Sequence, residues 1–171
     1  VPRSSIFLID CDSAVDPPRV RDPNATGTFR GDNAAGNDIA TVCPNIRPVL
    51  GSEVMNEFVM DNIDYFEKSN YNVILQCGDR YKNKIKDNKS KNVIILPFID
   101  QMPTVISCSD LIVSRAGAII ISELSFVGKP VIFIPSPNVA EDHQTKNAKY
   151  LYDLEAAELI HEDEIHYKLK N

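Results

Sequence analysis

The sequence has no run approaching the roughly 18 apolar residues that a membrane-spanning helix needs, and its first residues do not read basic-then-apolar as a secretory signal does. The expectation is a cytoplasmic chain. Cysteine is scarce and scattered: Cys11, Cys43, Cys77 and Cys108 form no CxxC pair, so neither a zinc site nor a disulfide framework is indicated. Cys77 and Cys108, in or beside apolar segments, read as buried thiols. Excess positive charge is missing too. A formal net charge of −6 argues against a general nucleic-acid binder. The alternating Lys82, Lys84, Lys86, Lys89 and Lys91 read as a solvated loop or helix face rather than a membrane or phosphate contact. The sequon Asn24-Ala-Thr26 has meaning only in a secreted protein and is set aside.

What is present describes an ordinary globule. With 171 residues, 43% hydrophobic and 25% charged, the chain suits one domain with a sizeable core. From residue 53 onward two periodicities alternate. Residues 53–68 carry Val54, Phe58, Ile63 and Phe66 at helical spacing, and residues 72–76 hold the strand-forming Val73-Ile74-Leu75. Further strands are expected at 93–96, 111–113 and 131–134, with helices at 102–107, 118–126 and about 142–154. Continuous apolar strands separated by helices indicate a parallel sheet covered on both faces, a Rossmann-like arrangement.

The first fifty residues differ. They hold prolines at 2, 17, 18, 23, 44 and 48 and one convincing strand, 5–9. A structureless stretch of this length is improbable inside a compact domain, so residues 10–45 are irregular because they are flexible, divergent or not a naturally continuous chain; 1–47 is then an irregular or poorly assignable segment and 48–171 the folded domain.

The most informative stretch is Ser114-Arg-Ala-Gly-Ala-Ile-Ile-Ile-Ser-Glu-Leu124, followed by Gly128-Lys-Pro130, an apolar run and Glu141-Asp-His-Gln-Thr-Lys-Asn-Ala148. It reads as strand, glycine turn, helix, strand, polar turn, helix, which puts two helix N-termini at one edge of a parallel sheet. The first N–H groups of a helix lack internal partners and lie at the positive end of its dipole, so such an edge binds phosphates. Gly117 is expected to permit a tight turn and close ligand approach. Glu123, nearly two turns into the helix, is placed to accept from a sugar diol or to stand solvated. Asp142 is a good helix N-cap.

Together with Leu96-Pro-Phe-Ile-Asp-Gln-Met102 upstream, these segments resemble the C-terminal, donor-binding domain of the MurG family of glycosyltransferases, in register over roughly residues 54–165. A more distant resemblance is to the eukaryotic Alg13-type subunit, a UDP-GlcNAc-binding chain that needs a separate membrane partner. The resemblance to MurG implies the C-terminal half of a GT-B fold, and an inverting transfer of GlcNAc from UDP-GlcNAc to lipid I, giving lipid II for the peptidoglycan cell wall. The enzyme is then peripheral on the inner face of the bacterial membrane and binds no nucleic acid. No DxD-like carboxylate pair occurs near the phosphate site, so no metal or other cofactor is expected and UDP-GlcNAc is a substrate. The catalytic base and the acceptor groove belong to the family's N-terminal domain, of which this sequence holds no convincing copy, so the catalytic residues stay unknown and the chain is expected to be incomplete as an enzyme.

Residue by residue, the resemblance implies a donor site in which Ile99 reads the uracil through its main chain while Phe98, with Met102, borders it. Ala116, Gly117, Ala118 and Ile119 offer backbone to nucleotide and phosphate, and Arg115 either faces the diphosphate or forms a salt bridge. Ile120 replaces a threonine common in relatives, removing one hydroxyl contact. Glu123 binds the ribose and Gln144 the GlcNAc hydroxyls. His143 contacts the donor or caps its helix, and Asn147 holds the turn. The family's glycine-rich loop is shortened here to Gly51 and Ser52, which offers a diphosphate fewer amides.

Overall fold

A computed structural model of the chain describes residues 4–9, 47–50, 53–85, 90–137 and 140–170. The reading of residues 10–45 as irregular lies outside them, with Cys11, Cys43, Lys86, Lys89, Gly51 and Ser52. The apolar runs become strands and the 3.6-period stretches become helices. In chain order these are β1 (Ser4–Ile9), β2 (Arg47–Leu50), α1 (Glu53–Asp61), α2 (Ile63–Lys68), β3 (Tyr71–Gln76), β4 (Val93–Leu96), α3 (Met102–Cys108), β5 (Leu111–Ser114), α4 (Ala118–Val127), β6 (Val131–Phe133), α5 (His143–Asp153), β7 (Glu158–Leu159) and α6 (Ile165–Lys168).

Among the described residues the strands form one parallel sheet in the order β4-β3-β1-β2-β5-β6-β7. The two central strands each pair with β3 and β5 as well as with each other. From β2 the chain builds outward through β3 to β4, then returns across the centre to build β5, β6 and β7 on the other side. Strand order therefore reverses beside β2 and β5. In open α/β sheets that reversal opens a crevice at the carboxyl ends of the strands, where ligands bind.

Because each inner strand is covered on both faces, successive side chains serve different cores. Ile74, Ile94 and Ile112 join Val105, Ile106, Ile120, Leu124, Phe133 and Ala148 under α3, α4 and α5. Their neighbours Val73, Leu75, Val93, Ile95 and Val113 join Met55, Phe58, Val59, Phe66 and Ile165 under α1, α2 and α6. Phe58 anchors the second core, packing edge-on against Phe66 and His166 at centroid distances of 6.2 and 5.6 Å.

Local chemistry accounts for the departures from the expected elements. The single helix expected over 53–68 is two, because Asn62 leaves helical geometry (φ −118°) and its Nδ2 donates to the Phe58 carbonyl at 2.7 Å, a bond that competes with the helical ladder. The strand β2 went unforeseen because Pro48 lacks a ladder donor. Cys77 is buried as expected, but Cys108 is exposed at the end of α3, where the helix turns its last residue outward. Lys82, Lys84 and Lys91 are exposed, with Lys84 Nζ lying over the Tyr81 ring at 4.9 Å. Gly128 ends α4 in the left-handed conformation (φ 66°), its N–H donating to the Leu124 carbonyl at 3.2 Å, which favours glycine there. Among the described residues no helix is long and apolar enough to cross a membrane.

Candidate donor site

The crevice at the strand reversal is rimmed by the segments that follow β3, β4, β5 and β6, and by the starts of α4 and α5. The 114–117 segment is the best defined. Its four carbonyls are all engaged by protein donors: Ser114 by the Ile134 N–H (2.8 Å), Arg115 by the Ser114 hydroxyl (2.7 Å), Ala116 by Asn147 Nδ2 (3.2 Å) and Gly117 by the Ile121 N–H (3.0 Å). The negative ends of these peptide dipoles are thus tied down. The helix they lead into carries no side-chain cap at Gly117, and the Ala118, Ile119 and Ile120 amides precede the first helical bond and have no intrahelical acceptor. Bound carbonyls beside uncapped amides at a positive helix end form a surface suited to an anion.

Gly117 does not turn tightly. Its φ of −68° and ψ of 147° suit any residue, and a Cβ there would meet only Ile120 Cγ2 at 3.8 Å. The absence of a side chain therefore matters only to what approaches from outside the protein. Ile119 is 80% exposed, and Glu123, one turn on along the same face, is exposed as well. Ala118 is exposed and Ala116 fully buried, so of the pair only Ala118 presents itself outward. Ile120 packs into the core, which explains an apolar residue at that position.

On the other side of the reversal, the chain after β4 exposes Phe98 by 55% and buries Ile99 to 2%. Phe98 is therefore a rim residue and not part of the core. The Ile99 N–H donates to the Oε1 of buried Gln76 at 2.9 Å, leaving the Ile99 carbonyl as its remaining backbone group. Met102, half-buried, packs against the α3–α4–α5 core, a supporting position behind the rim.

The segment before α5 is strained. Glu141 and Asp142 both have positive φ, 57° and 53°, a conformation costing roughly 1–2 kcal/mol for each such residue. Strain of this kind clusters at ligand sites. Asp142 occupies the N-cap position but its side chain makes no capping bond. The left-handed backbone replaces the extended one that capping needs, which corrects the expected role. Gln144 is buried, and its Oε1 accepts from the Ser136 N–H at 3.0 Å. His143 is exposed at the helix start.

Arg115 is buried and does not face the crevice: Nη1 donates to the Ile134 carbonyl at 3.0 Å and Nη2 pairs with the Glu162 carboxylate. Sequence reasoning missed three polar residues that hold segments leading to the rim. Glu162 partners Arg115. Gln76 holds Ile99, and fully buried Asn56 donates from Nδ2 to the Cys77 carbonyl at 3.0 Å, while among the described residues its Oδ1 finds no partner. Polar residues inside or ending apolar stretches were the available signal for Gln76 and Asn56. Among the described residues no cluster of His, Cys, Asp or Glu is gathered as for a metal ion.

The same segments recur in known proteins. Over 122 residues the chain is 46% identical to a UDP-N-acetylglucosamine–N-acetylmuramyl-(pentapeptide) pyrophosphoryl-undecaprenol N-acetylglucosamine transferase of Flavobacterium psychrophilum, covering 71% of this chain and 33% of that protein. A protein of the same name from Cytophaga hutchinsonii is 43% identical over 111 residues, 65% of this chain and 30% of its own length. A crystal structure of Acinetobacter baumannii MurG matches with a TM-score of 0.58 at 31% identity, over 71% of this chain and 36% of that one. The chain spans about a third of the length of these relatives, and the part it matches is the C-terminal half of a GT-B glycosyltransferase fold. Residues 50–171 match the model of the glycosyltransferase family 28 C-terminal domain, and the chain belongs to that family.

Proposed function

We propose that this chain is the donor-binding part of a MurG-type hexosyltransferase: it binds UDP-GlcNAc for transfer of GlcNAc to undecaprenyl-pyrophosphoryl-MurNAc-pentapeptide, converting lipid I to lipid II in peptidoglycan synthesis. The observation that carries this is the 114–123 rim, where engaged carbonyls, an uncapped helix start and an exposed carboxylate lie beside the strand reversal within a segment 46% identical to a named GlcNAc transferase. The similarity to bacterial enzymes of that name favours this over an Alg13-type subunit.

In this reading the α4 amides receive the diphosphate, Glu123 accepts from the ribose hydroxyls, the Ile99 carbonyl reads the uracil edge beside Phe98, and Gln144 with His143 meets the sugar. The acceptor's C4 hydroxyl attacks the anomeric carbon, its proton passing to a base from a further domain. The bond from that carbon to the diphosphate oxygen breaks with inversion, and UDP leaves. Charge grows on the leaving diphosphate, so oriented amides stabilise the transition state more than the ground state, and we assign no metal to this step. The lipid-linked acceptor places the work at the inner surface of the cell membrane, with the chain peripheral to it.

The test is calorimetric titration of the chain with UDP-GlcNAc, UDP-GalNAc and UDP, repeated on Glu123→Ala. Preference for the GlcNAc form is expected. Hydrogen bonds to a charged group contribute about 1.5–3 kcal/mol, so Glu123→Ala should weaken binding on the order of ten- to a hundredfold. Absence of nucleotide binding, or indifference to Glu123, would sink the assignment.

A further inference from the structure

Arg115 lies one residue beyond β5, where a cation would suit a diphosphate, yet its surroundings give it another task. Its side chain is 7% accessible. Nη1 is bound to the Ile134 carbonyl after β6, and Nη2 to Glu162, whose own side chain is 19% accessible. Among the described residues Nε is buried without a partner. To touch a phosphate the guanidinium would have to release both bonds and leave the Glu162 carboxylate unpaired, and breaking a buried pair from one side is strongly unfavourable.

Glu162 belongs to the turn Glu162–Glu164 before α6. The residue two before it, Ile160, donates its N–H to the Phe133 carbonyl at 3.0 Å. The pair therefore ties three segments together: the end of β5, the end of β6 and the C-terminal turn. On the α4 side of Arg115, the chain runs through Ala116, itself held by Asn147, into the uncapped helix start. A cation pinned at one end of this turn and an amide at the other fix the direction in which the α4 amides point.

Resting on the reading of this rim as a nucleotide diphosphate site, we propose that Arg115 is a positioning residue: locked by Glu162 and the Ile134 carbonyl, it orients the 114–117 turn and the start of α4 without touching the diphosphate. The C-terminal turn is thereby a working part of the donor site.

Calorimetric titration of UDP and of uridine into the wild-type chain, Arg115→Met, Glu162→Gln and the double variant separates the two roles. Misplaced binding groups cost up to about a hundredfold, so each single substitution is expected to weaken UDP on the order of tenfold, and uridine less, because uridine makes no contact with the α4 amides. The double variant should lose no more than the worse single one, because both remove one interaction. A direct phosphate ligand gives the opposite result and overturns the proposal: Arg115→Met weakens UDP, while Glu162→Gln, which leaves the cation in place, does not. Amide hydrogen exchange of the unliganded chain supplies a second arm. Faster exchange across 114–117 in Glu162→Gln, the milder variant, is expected; unchanged protection overturns the proposal. A wild-type chain that binds neither UDP nor uridine removes the nucleotide reading and leaves this exchange arm to decide the role of the pair.

Discussion

The two edges of the sheet are held together by different kinds of bond. At the carboxyl edge, buried or half-buried side chains reach across the sequence to single backbone groups: Asn56 to Cys77, Gln76 to Ile99, Arg115 to Ile134 and Asn147 to Ala116, spanning 21, 23, 19 and 31 residues. At the amino edge, short hydroxyls bond within their own turn. Ser69 donates to the Phe66 carbonyl at 2.7 Å, Ser90 accepts from the Val93 N–H at 3.2 Å, and Ser109 donates to the Val105 carbonyl at 2.6 Å. The longer side-chain reaches away from the rim, Asn92 to Glu67 and Tyr65 to Lys170, are on the exposed surface. Local bonds terminate elements. Long-range buried bonds fix loops relative to one another, which is what a site built from several loops requires.

The strongest way to break this comparison is Gln76→Leu. The substitution is close in size but removes the acceptor of the Ile99 N–H, leaving a buried donor unsatisfied at about 1–3 kcal/mol. Urea unfolding followed by circular dichroism should show that loss. UDP affinity should fall in parallel, on the order of tenfold, because the Ile99 carbonyl is no longer held. A loss of stability with unchanged UDP binding would mean that the carboxyl-edge bonds are structural only.

The contrast also explains what the sequence disclosed. Strand β4 coincides with the expected 93–96, because an apolar run that is covered on both faces leaves a plain signature. The helix starts of the rim were legible through the glycine before α4 and the polar 141–144 stretch, although Gly117 makes no tight turn. Arg115 was left between two roles, since residue type does not say which way a side chain turns. Gln76 and Asn56 stand out only as polar residues in or ending apolar stretches; their partners lie more than twenty residues away, so no local pattern says what they hold. The closing elements β7 and α6 span two and four residues, too short for either periodicity to register.

Gly128→Ala sharpens the comparison from the amino edge. A built Cβ meets nothing within 4 Å, so only the left-handed backbone opposes the change, at about 1–2 kcal/mol. The unfolding loss should approach that of Gln76→Leu, with UDP affinity unaltered. Equal destabilisation with unequal effects on binding would separate stabilising the sheet from shaping the site. A fall in UDP affinity in Gly128→Ala would erase the distinction between the edges.

The smallest effect is expected three residues from the start of the C-terminal segment, where two ion pairs stand almost side by side. Glu162 serves Arg115 in a largely buried pair, whereas Glu164 pairs with Lys168 one turn on, at the surface, at 2.9 Å. The Lys168 hydrogen bond first, and the His161 backbone N–H second, hold the Glu164 carboxyl below its ordinary value of 4.5. A carboxylate whose folded value is depressed adds stability that is fully present above its unfolded value and disappears as pH falls through the folded one. Thermal unfolding of the wild type should therefore lose a small increment below pH 4.5 that Glu164→Gln lacks, and added salt should shrink it. UDP binding should be the same in both near neutral pH. If Glu164→Gln weakened UDP as Glu162→Gln is expected to, the C-terminal segment would act through its overall charge, and the specific reach of Glu162 to Arg115 would no longer be what connects it to the carboxyl edge.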